Sequence, residues 1–135
     1  MNELHSLDRL VGTWRLSEDT SGTVTYEWLE GGHFLVQHVD LTLHGHAVKA
    51  LEVIGHLKPF GEEPSPEISS RAYDSEGNTL DYVYELEGRT LTIWAGGRGS
   101  PAYFRGEFSA DDRTNVGAWV YPDGGGYRST MTRED

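Results

Sequence analysis

Most of the chain alternates apolar and polar residues with a period of two, which is the pattern of half-buried β-strands. One such segment places Val24, Tyr26 and Trp28 on one face and polar neighbours on the other. Turn sequences rich in Gly, Asn and Asp separate the segments. Ten strands are predicted, near residues 12–18, 22–29, 33–43, 47–58, 67–74, 79–86, 89–95, 101–109, 114–121 and 125–133.

The first residues follow a helical period instead. Three leucines between residues 4 and 10 recur at three-residue steps, which predicts a short helix over residues 2–10. Asn2 suits the N-cap of this helix, and Gly12 suits its end.

Short connections between consecutive strands favour an antiparallel up-and-down meander. Ten strands in 135 residues most economically close on themselves, because closure removes exposed sheet edges. The predicted fold is therefore all-β: a closed ten-stranded antiparallel up-and-down β-barrel with a short N-terminal helix. The length fits a single domain over residues 1–135.

The turns predict which residues face each other across neighbouring strands. A turn centred on His44-Gly45 gives four pairs on a face that is apolar apart from Gln37 and Glu52, so this face is predicted to point inward. His38 lies on the opposite, outer face. The four inward pairs are Leu35 with Ile54, Gln37 with Glu52, Val39 with Ala50, and Leu41 with Val48.

Other hairpins extend this interior. Their assumed turn centres lie at Gly31-Gly32, between Asp74 and Asn78, and at Glu87-Gly88. The predicted relations are Tyr26 opposite Leu35, Arg71 on the same face as Tyr82, Tyr82 opposite Ile93, and Tyr84 opposite Leu91. The predicted interior is apolar with five polar side chains, namely Tyr26, Gln37, Glu52, Arg71 and Tyr82.

Aromatic residues are abundant in the predicted interior. They either fill the barrel or line a cavity for a flat apolar ligand. The inward aromatic residues are predicted to be Trp14, Tyr26, Trp28, Tyr73, Tyr82, Tyr84, Phe104 and Phe108. On the outer surface Trp94 is predicted to lie beside Tyr103. An outer apolar patch favours a homodimer; its residues are Phe34, Val36, Leu51, Val53 and Trp94.

Glu52 is the first candidate site residue, because a carboxylate in an apolar lumen is costly unless it is paired. Arg71 is the only cation that the predicted interior offers, and Gln37 lies opposite Glu52. Three roles stay open for Glu52: a structural ion pair, an anchor for a ligand, and an acid or base in catalysis. The predicted ligand-binding residues are Tyr26, Gln37, Glu52, Arg71, Tyr82, Tyr84 and Phe104.

Five of the six histidines lie between His33 and His56, and these two are predicted to face each other at one end of the barrel. His44 and His46 flank Gly45 at a turn, where two imidazoles without a third fixed ligand bind metals weakly. The chain has no cysteine and no acidic loop with calcium-site spacing. Neither a metal nor another cofactor is therefore predicted.

Composition narrows the predicted partners and location. The chain has 11 Lys and Arg against 22 Asp and Glu, for a formal net charge of -11. A field of this sign repels nucleic acids and anionic membrane surfaces, so neither is a predicted partner. The N-terminal residues lack the basic-then-apolar layout of a signal peptide, which predicts a cytoplasmic protein.

Gly12-Thr13-Trp14 follows the predicted helix and resembles the G-x-W signature at the first strand of calycins. In order and spacing, this and further segments resemble a bacterial family of lipocalin-like proteins in the calycin superfamily. The resemblance implies a ten-stranded barrel with an internal cavity, but no particular reaction. The further segments are Trp28–Leu35, Glu52–Gly55, Tyr73–Gly77, Phe104–Phe108 and Gly117–Gly125.

The related nitrobindins hold ferric haem in a similar barrel through a histidine near the C-terminus. This sequence departs from that pattern, because no histidine follows His56. Haem is therefore not predicted, although an earlier histidine stays open as a haem ligand.

These observations predict a protein that binds a small apolar or aromatic molecule, with one polar handle, inside the barrel. One alternative is a cofactor-free isomerase, cyclase or hydratase that acts on a specialised metabolite. In it, Glu52 would be the acid or base, and Arg71 and Tyr82 would stabilise developing charge. Another alternative is an interaction module that self-associates through its outer apolar residues.

Overall fold

The computed structural model describes residues 3–134. These residues form a closed barrel of ten antiparallel strands in up-and-down order, preceded by a short 3₁₀ helix, and the predicted fold is confirmed. The predicted cap, Asn2, lies outside the described residues. The helix spans Glu3–Leu10, and the strands are β1 (Gly12–Glu18), β2 (Thr20–Trp28), β3 (Phe34–Leu43), β4 (His46–Gly55), β5 (Ile68–Asp74), β6 (Thr79–Glu87), β7 (Thr90–Ala95), β8 (Tyr103–Phe108), β9 (Thr114–Val120) and β10 (Tyr127–Arg133).

The helix closes one end of the barrel. Its three leucines are fully buried in the core together with Trp14. The indole N–H of Trp14 donates to the Leu10 carbonyl at 2.8 Å. The Arg133 guanidinium lies over the Trp14 ring, 4.2 Å from its centre, and donates to the Val11 carbonyl. Within residues 3–134, no helix is long and apolar enough to cross a membrane.

The register predicted for β3 and β4 is confirmed. His44 and Gly45 both have positive φ, 51° and 77°, as a two-residue type I′ hairpin turn requires. All four predicted inward pairs are observed, including Gln37 opposite Glu52. His38 is exposed on the outer face, as predicted.

Two other hairpins differ from the predicted register by two residues, a shift that changes partners but keeps each side chain on its face. Tyr26 lies opposite Gln37 rather than Leu35; the four-residue loop between Leu29 and Phe34 is centred on Gly31-Gly32 as predicted, and this centre itself gives the observed pair. The second of these hairpins turns at Gly88-Arg89, so its observed pairs are Tyr84 with Ile93, Leu86 with Leu91, and Tyr82 with Ala95.

The β5–β6 hairpin differs from the predicted register by one residue, and this shift exchanges the two faces of β5. Arg71 lies opposite Asp81 on the outer surface, where its Nε donates to a carboxylate oxygen at 2.7 Å. The prediction that Arg71 points inward is therefore wrong. Tyr73 was also predicted inward, but it is 49% exposed and lies beside Leu51.

The turn between β5 and β6 causes this shift. Its loop has three residues, 75–77, and Gly77 adopts a φ of 87°. Asp74 Oδ1 accepts the backbone N–H groups of Glu76 and Asn78, both at 2.9 Å. A three-residue loop with a left-handed glycine is a common hairpin connection. It places Ser70, not Arg71, on the inner face of β5.

The outer apolar residues lie in two separate places. Trp94 packs beside Tyr103 with ring centres 5.2 Å apart, as predicted. However, Trp94 belongs to β7, and β5 and β6 separate it from β3 and β4. The predicted outer patch is therefore limited to those two strands, where its members are Phe34, Val36, Leu51 and Val53.

A candidate ligand-binding cavity in the barrel

The barrel encloses a cavity of about 220 Å³ that is lined by residues from all ten strands. Its walls are largely apolar, because each strand turns its apolar face inward. The cavity approaches the surface at the end away from the helix. Leu80, a lining residue beside the β5–β6 turn, is 43% exposed there. The cavity is therefore nearest to solvent between the turns that face away from the helix.

Five polar side chains at the base of the cavity, here called the Glu52 cluster, form two hydrogen-bonded groups: Tyr26 with Gln37, and Glu52 with Ser70 and Tyr84. All of them except Ser70 line the cavity. The Ser70 hydroxyl donates to one Glu52 carboxylate oxygen at 2.6 Å. The Tyr84 hydroxyl lies 2.9 Å from both carboxylate oxygens. Beside them, the Gln37 side-chain N–H donates to the Tyr26 hydroxyl at 2.9 Å. The cluster thus offers an acid group and two phenols from the same side of the lumen.

Glu52 is 5% exposed. Burial raises the pKa of its carboxyl above the ordinary 4.5, and the hydrogen bonds from Ser70 and Tyr84 oppose that rise without cancelling it. Burial and the charge of Glu52 together raise the pKa of Tyr26 and Tyr84 well above 10, and raise that of Tyr82 to about 12. The phenols are therefore neutral hydrogen-bonding groups at neutral pH.

Hydroxyl groups, rather than a cation, partner the Glu52 carboxyl. The predicted partner Arg71 lies outside the barrel in its ion pair with Asp81. Among the described residues that line the cavity there is no Lys, Arg or His; the acidic ones are Glu52 and Asp74. Asp74 is at the mouth, where its carboxylate holds the β5–β6 turn. The described walls of the cavity therefore contain two groups that can carry a negative charge and none that can carry a positive charge.

Aromatic rings form much of the wall opposite the Glu52 cluster. Trp119 from β9 lies 5.8 Å from Tyr82 and 5.6 Å from Phe104, measured between ring centres. Tyr121 stacks on Trp119 at 6.2 Å and lies 6.4 Å from Tyr127. Flat or cationic groups are well suited to contact such faces.

Two facing glycines make room for this wall. Gly106 and Gly117 are paired across β8 and β9. A Cβ on Gly117 would lie 2.6 Å from the tip of the Phe104 ring and 2.6 Å from the Arg105 carbonyl oxygen. The missing side chains therefore allow Phe104 to lie flat against the sheet.

Six of the seven predicted ligand-binding residues line the cavity, and Arg71 does not. The structure adds Ser70 to the polar group, and Trp119 and Tyr127 to the aromatic wall. The one-residue shift in β5 accounts for both Arg71 and Ser70, and the alternation of Ile68, Ser70 and Ala72 was the signal available in the sequence. The six predicted residues that line the cavity are Tyr26, Gln37, Glu52, Tyr82, Tyr84 and Phe104.

Asn115 is a polar residue that sequence reasoning missed. It is fully buried near the closed end of the barrel, opposite Phe108 and Met131. Neither its amide nitrogen nor its amide oxygen has a hydrogen-bond partner within the described part of the chain. Such a buried amide lowers the stability of the fold.

None of the histidines that the structure describes lines the cavity, although the His44 ring lies 6.3 Å from that of the lining residue Tyr127. His5 stacks on Trp28 at 4.5 Å between ring centres, and His44 belongs to a turn. His56 donates from Nδ1 to the carbonyls of Ser65 and Glu67 at 2.8 and 3.0 Å. Within residues 3–134, no three His, Cys, Asp or Glu side chains are grouped to hold a metal ion. The described lumen therefore offers no axial imidazole for a haem.

A scan against protein-family models finds no match to this chain, and a search of curated proteins finds no significant similarity. The resemblance to lipocalin-like proteins accordingly stays a prediction. The strand pairing alone establishes the closed barrel.

Proposed function

We propose that this protein binds a small apolar or aromatic molecule with one polar handle inside the barrel. The observation that carries the proposal is an apolar, aromatic-walled cavity with one hydrogen-bonded polar cluster at its base. A few convergent polar groups in an otherwise apolar pocket are typical of small-molecule sites. The apolar body would lie against Phe104 and Trp119, and the handle would reach the Glu52 cluster.

The cavity volume limits the ligand to a small molecule. At about 220 Å³ the space is larger than the cavity of about 150 Å³ that accepts benzene in another protein. One aromatic ring with a short substituent is therefore the size expected. A haem or a long acyl chain would require the walls to move.

Polar groups at the base would select the handle. The Tyr26 hydroxyl accepts from Gln37, and its own O–H can donate to a ligand. Glu52 accepts from Ser70 and Tyr84 and has remaining lone pairs for a donor on the ligand. A hydroxyl or amino substituent would satisfy these groups, whereas a carboxylate would be repelled by Glu52.

A melting-temperature series tests the proposal. A ligand present at 100 times its dissociation constant stabilises the folded state by about 2.7 kcal/mol, which raises Tm by roughly 10 °C in a domain of this size. We expect a rise of this order with saturating 2-phenylethanol or indole. The absence of any shift across a panel of such one- and two-ring compounds would contradict ligand binding.

A cavity-filling variant provides the matched control. Ala50 lines the cavity wall between Val39 and Asp74, so Ala50→Trp would place an indole in the lumen without changing any residue of the Glu52 cluster. We expect this variant to fold and to lose the ligand-induced rise in Tm. An undiminished rise would place the ligand elsewhere.

Proton transfer is a second candidate function, favoured by the raised pKa of Glu52. A buried carboxyl of this kind suits an acid or base in a cofactor-free isomerase, cyclase or hydratase. Arg71 no longer belongs to this hypothesis, because it lies outside the barrel; Tyr84 and Tyr82 would stabilise developing charge instead. If a turnover assay with a specialised metabolite is found, Glu52→Gln should abolish it, and unchanged turnover would contradict this role.

Homodimer formation and a cytoplasmic location stay predictions. The outer apolar residues of β3 and β4, among them Phe34 at 36% and Leu51 at 38% exposure, support self-association. Light scattering at high concentration tests it: a dimer mass is expected, and a strict monomer would contradict it.

A further inference from the structure

The most unusual feature of the cavity is a buried carboxyl group that has no basic partner within residues 3–134. Acidic side chains that are almost fully buried generally have a cation or metal beside them, since an isolated charge is costly in a low-dielectric interior. Glu52 accepts hydrogen bonds from the hydroxyl groups of Ser70 and Tyr84. No guanidinium, ammonium or imidazolium among the described residues lies within hydrogen-bond distance of it. Its position on the cavity wall leaves one side accessible to a ligand.

We infer that the ligand itself supplies the missing positive charge: the cavity binds a small aromatic or apolar amine in its ammonium form, with the ammonium hydrogen-bonded to Glu52. The inference rests on the proposed function and names the polar handle of that ligand. The neighbouring hydroxyl of Tyr26 would accept a further ammonium hydrogen.

Desolvation favours the cation over other handles. A buried ion pair is weak when both ions must leave water on association. Here the carboxyl is already removed from water in the folded protein, so ligand binding adds the desolvation of the ammonium, and any proton that Glu52 holds passes to solvent. A charge-assisted hydrogen bond to a carboxylate is also about twice as strong as a neutral one. The burial that makes a charged Glu52 energetically unfavourable in the empty cavity therefore increases the affinity for an amine.

The rest of the cavity agrees with a cationic ligand. The wall opposite Glu52 contains the rings of Trp119 and Tyr127, which suit the aromatic body of such a ligand. Asp74 adds a carboxylate at the mouth. The net charge of -11 attracts cations to the protein and repels anions.

A set of ligands matched in shape and different in charge tests the inference. The probes are 2-phenylethylamine as the cation, 2-phenylethanol as the neutral analogue and 3-phenylpropanoate as the anion, titrated calorimetrically into the full chain at pH 7.5. We expect the amine to bind at least about tenfold more tightly than the alcohol and the anion to bind least. This comparison uses the unmodified protein and does not depend on how any variant folds.

Glu52→Gln keeps the shape of the side chain and removes its charge. Loss of one partner of a buried charge pair typically lowers the affinity at least about 30-fold. The affinity of Glu52→Gln for the amine should therefore be lower than that of the wild type by this factor. The affinity for the alcohol should change by less than about threefold, and this retained binding also verifies that the variant is folded. Glu107→Gln removes the same charge from the exposed outer face of β8 and should leave both affinities unchanged.

The outcomes separate this inference from the proposed function. If the alcohol binds and the amine binds no more tightly, the cationic ligand is excluded while binding in the cavity stands. If neither the amine nor the alcohol binds, the proposed function fails as well. If the amine binds equally well to Glu52→Gln, then Glu52 is not its anchor and the inference is overturned.

Discussion

Glu52→Gln should change how the stability of the protein depends on pH, with no ligand present. The substitution keeps an oxygen that can accept from Ser70 and Tyr84, and it replaces an ionisable group by a neutral one. Burial raises the folded-state pKa of Glu52 above 4.5, so the folded chain holds this proton more tightly than the unfolded chain does. The stabilising contribution is complete below pH 4.5 and is lost as pH rises through the folded-state pKa.

The magnitude follows from one proton at one site. Between pH 4.5 and the folded-state pKa of Glu52, the unfolding free energy of the wild type should fall by about 1.4 kcal/mol per pH unit relative to that of Glu52→Gln. Above that pKa the difference should be constant. The unpaired amide N–H₂ of the variant adds a pH-independent cost of about 1–3 kcal/mol, which offsets the curve without changing its slope.

Urea unfolding of both proteins between pH 4 and pH 8 measures this difference. The acid groups with lowered pKa, among them Asp74 and Asp81, destabilise both proteins in acid equally and cancel. Glu107→Gln is the control, because it removes an exposed carboxylate and should parallel the wild type. A flat difference would show that Glu52 has an ordinary pKa, and a rise with pH would show that a cation stabilises its charge; either result would refute the reasoning.

Three further substitutions test the packing around the cavity by urea unfolding. Gly117→Ala should destabilise the protein by about 1–3 kcal/mol, because its Cβ would meet backbone and Phe104 at 2.6 Å; an unchanged midpoint would mean that the sheet yields freely. Asn115→Leu should stabilise it by about 1–2 kcal/mol, since it removes a fully buried amide that has no hydrogen-bond partner in the described part of the chain, and a loss of stability would indicate a polar partner. Arg133→Met should cost about 1–3 kcal/mol through the lost contact with Trp14 and the lost hydrogen bonds to three backbone carbonyls, whereas a neutral effect would show that these contacts do not stabilise this end of the barrel.

Turn chemistry decided how much of the site could be predicted. His44-Gly45 permits a two-residue turn with positive φ at both positions, so the register of β3 and β4, and with it the inward position of Glu52, followed from sequence. The loop that ends at Gly77 has three residues, and its length is not evident from the sequence. The observed register therefore differs from the predicted one by one residue, which places Ser70 instead of Arg71 on the inner face. Shifts of two residues at the other hairpins left the faces unchanged.

The hydrogen bonds within the Glu52 cluster lay beyond sequence reasoning. Register places Gln37 opposite Glu52, yet Gln37 donates to Tyr26, while Glu52 accepts from Ser70 on the neighbouring strand β5 and from Tyr84 on β6. These choices depend on barrel curvature and side-chain rotamers, which no local pattern encodes. Alternation along a strand predicts which side chains point inward, but not which inward side chains form hydrogen bonds with each other.

Binding inside the barrel is the central claim, and a crystal structure grown with saturating 2-phenylethanol tests it most directly. The account predicts one molecule in the lumen, with its ring against Phe104 and Trp119 and its hydroxyl within hydrogen-bond distance of Glu52 or Tyr26. A lumen filled by rearranged side chains, or the alcohol bound only on the outer surface, would contradict it.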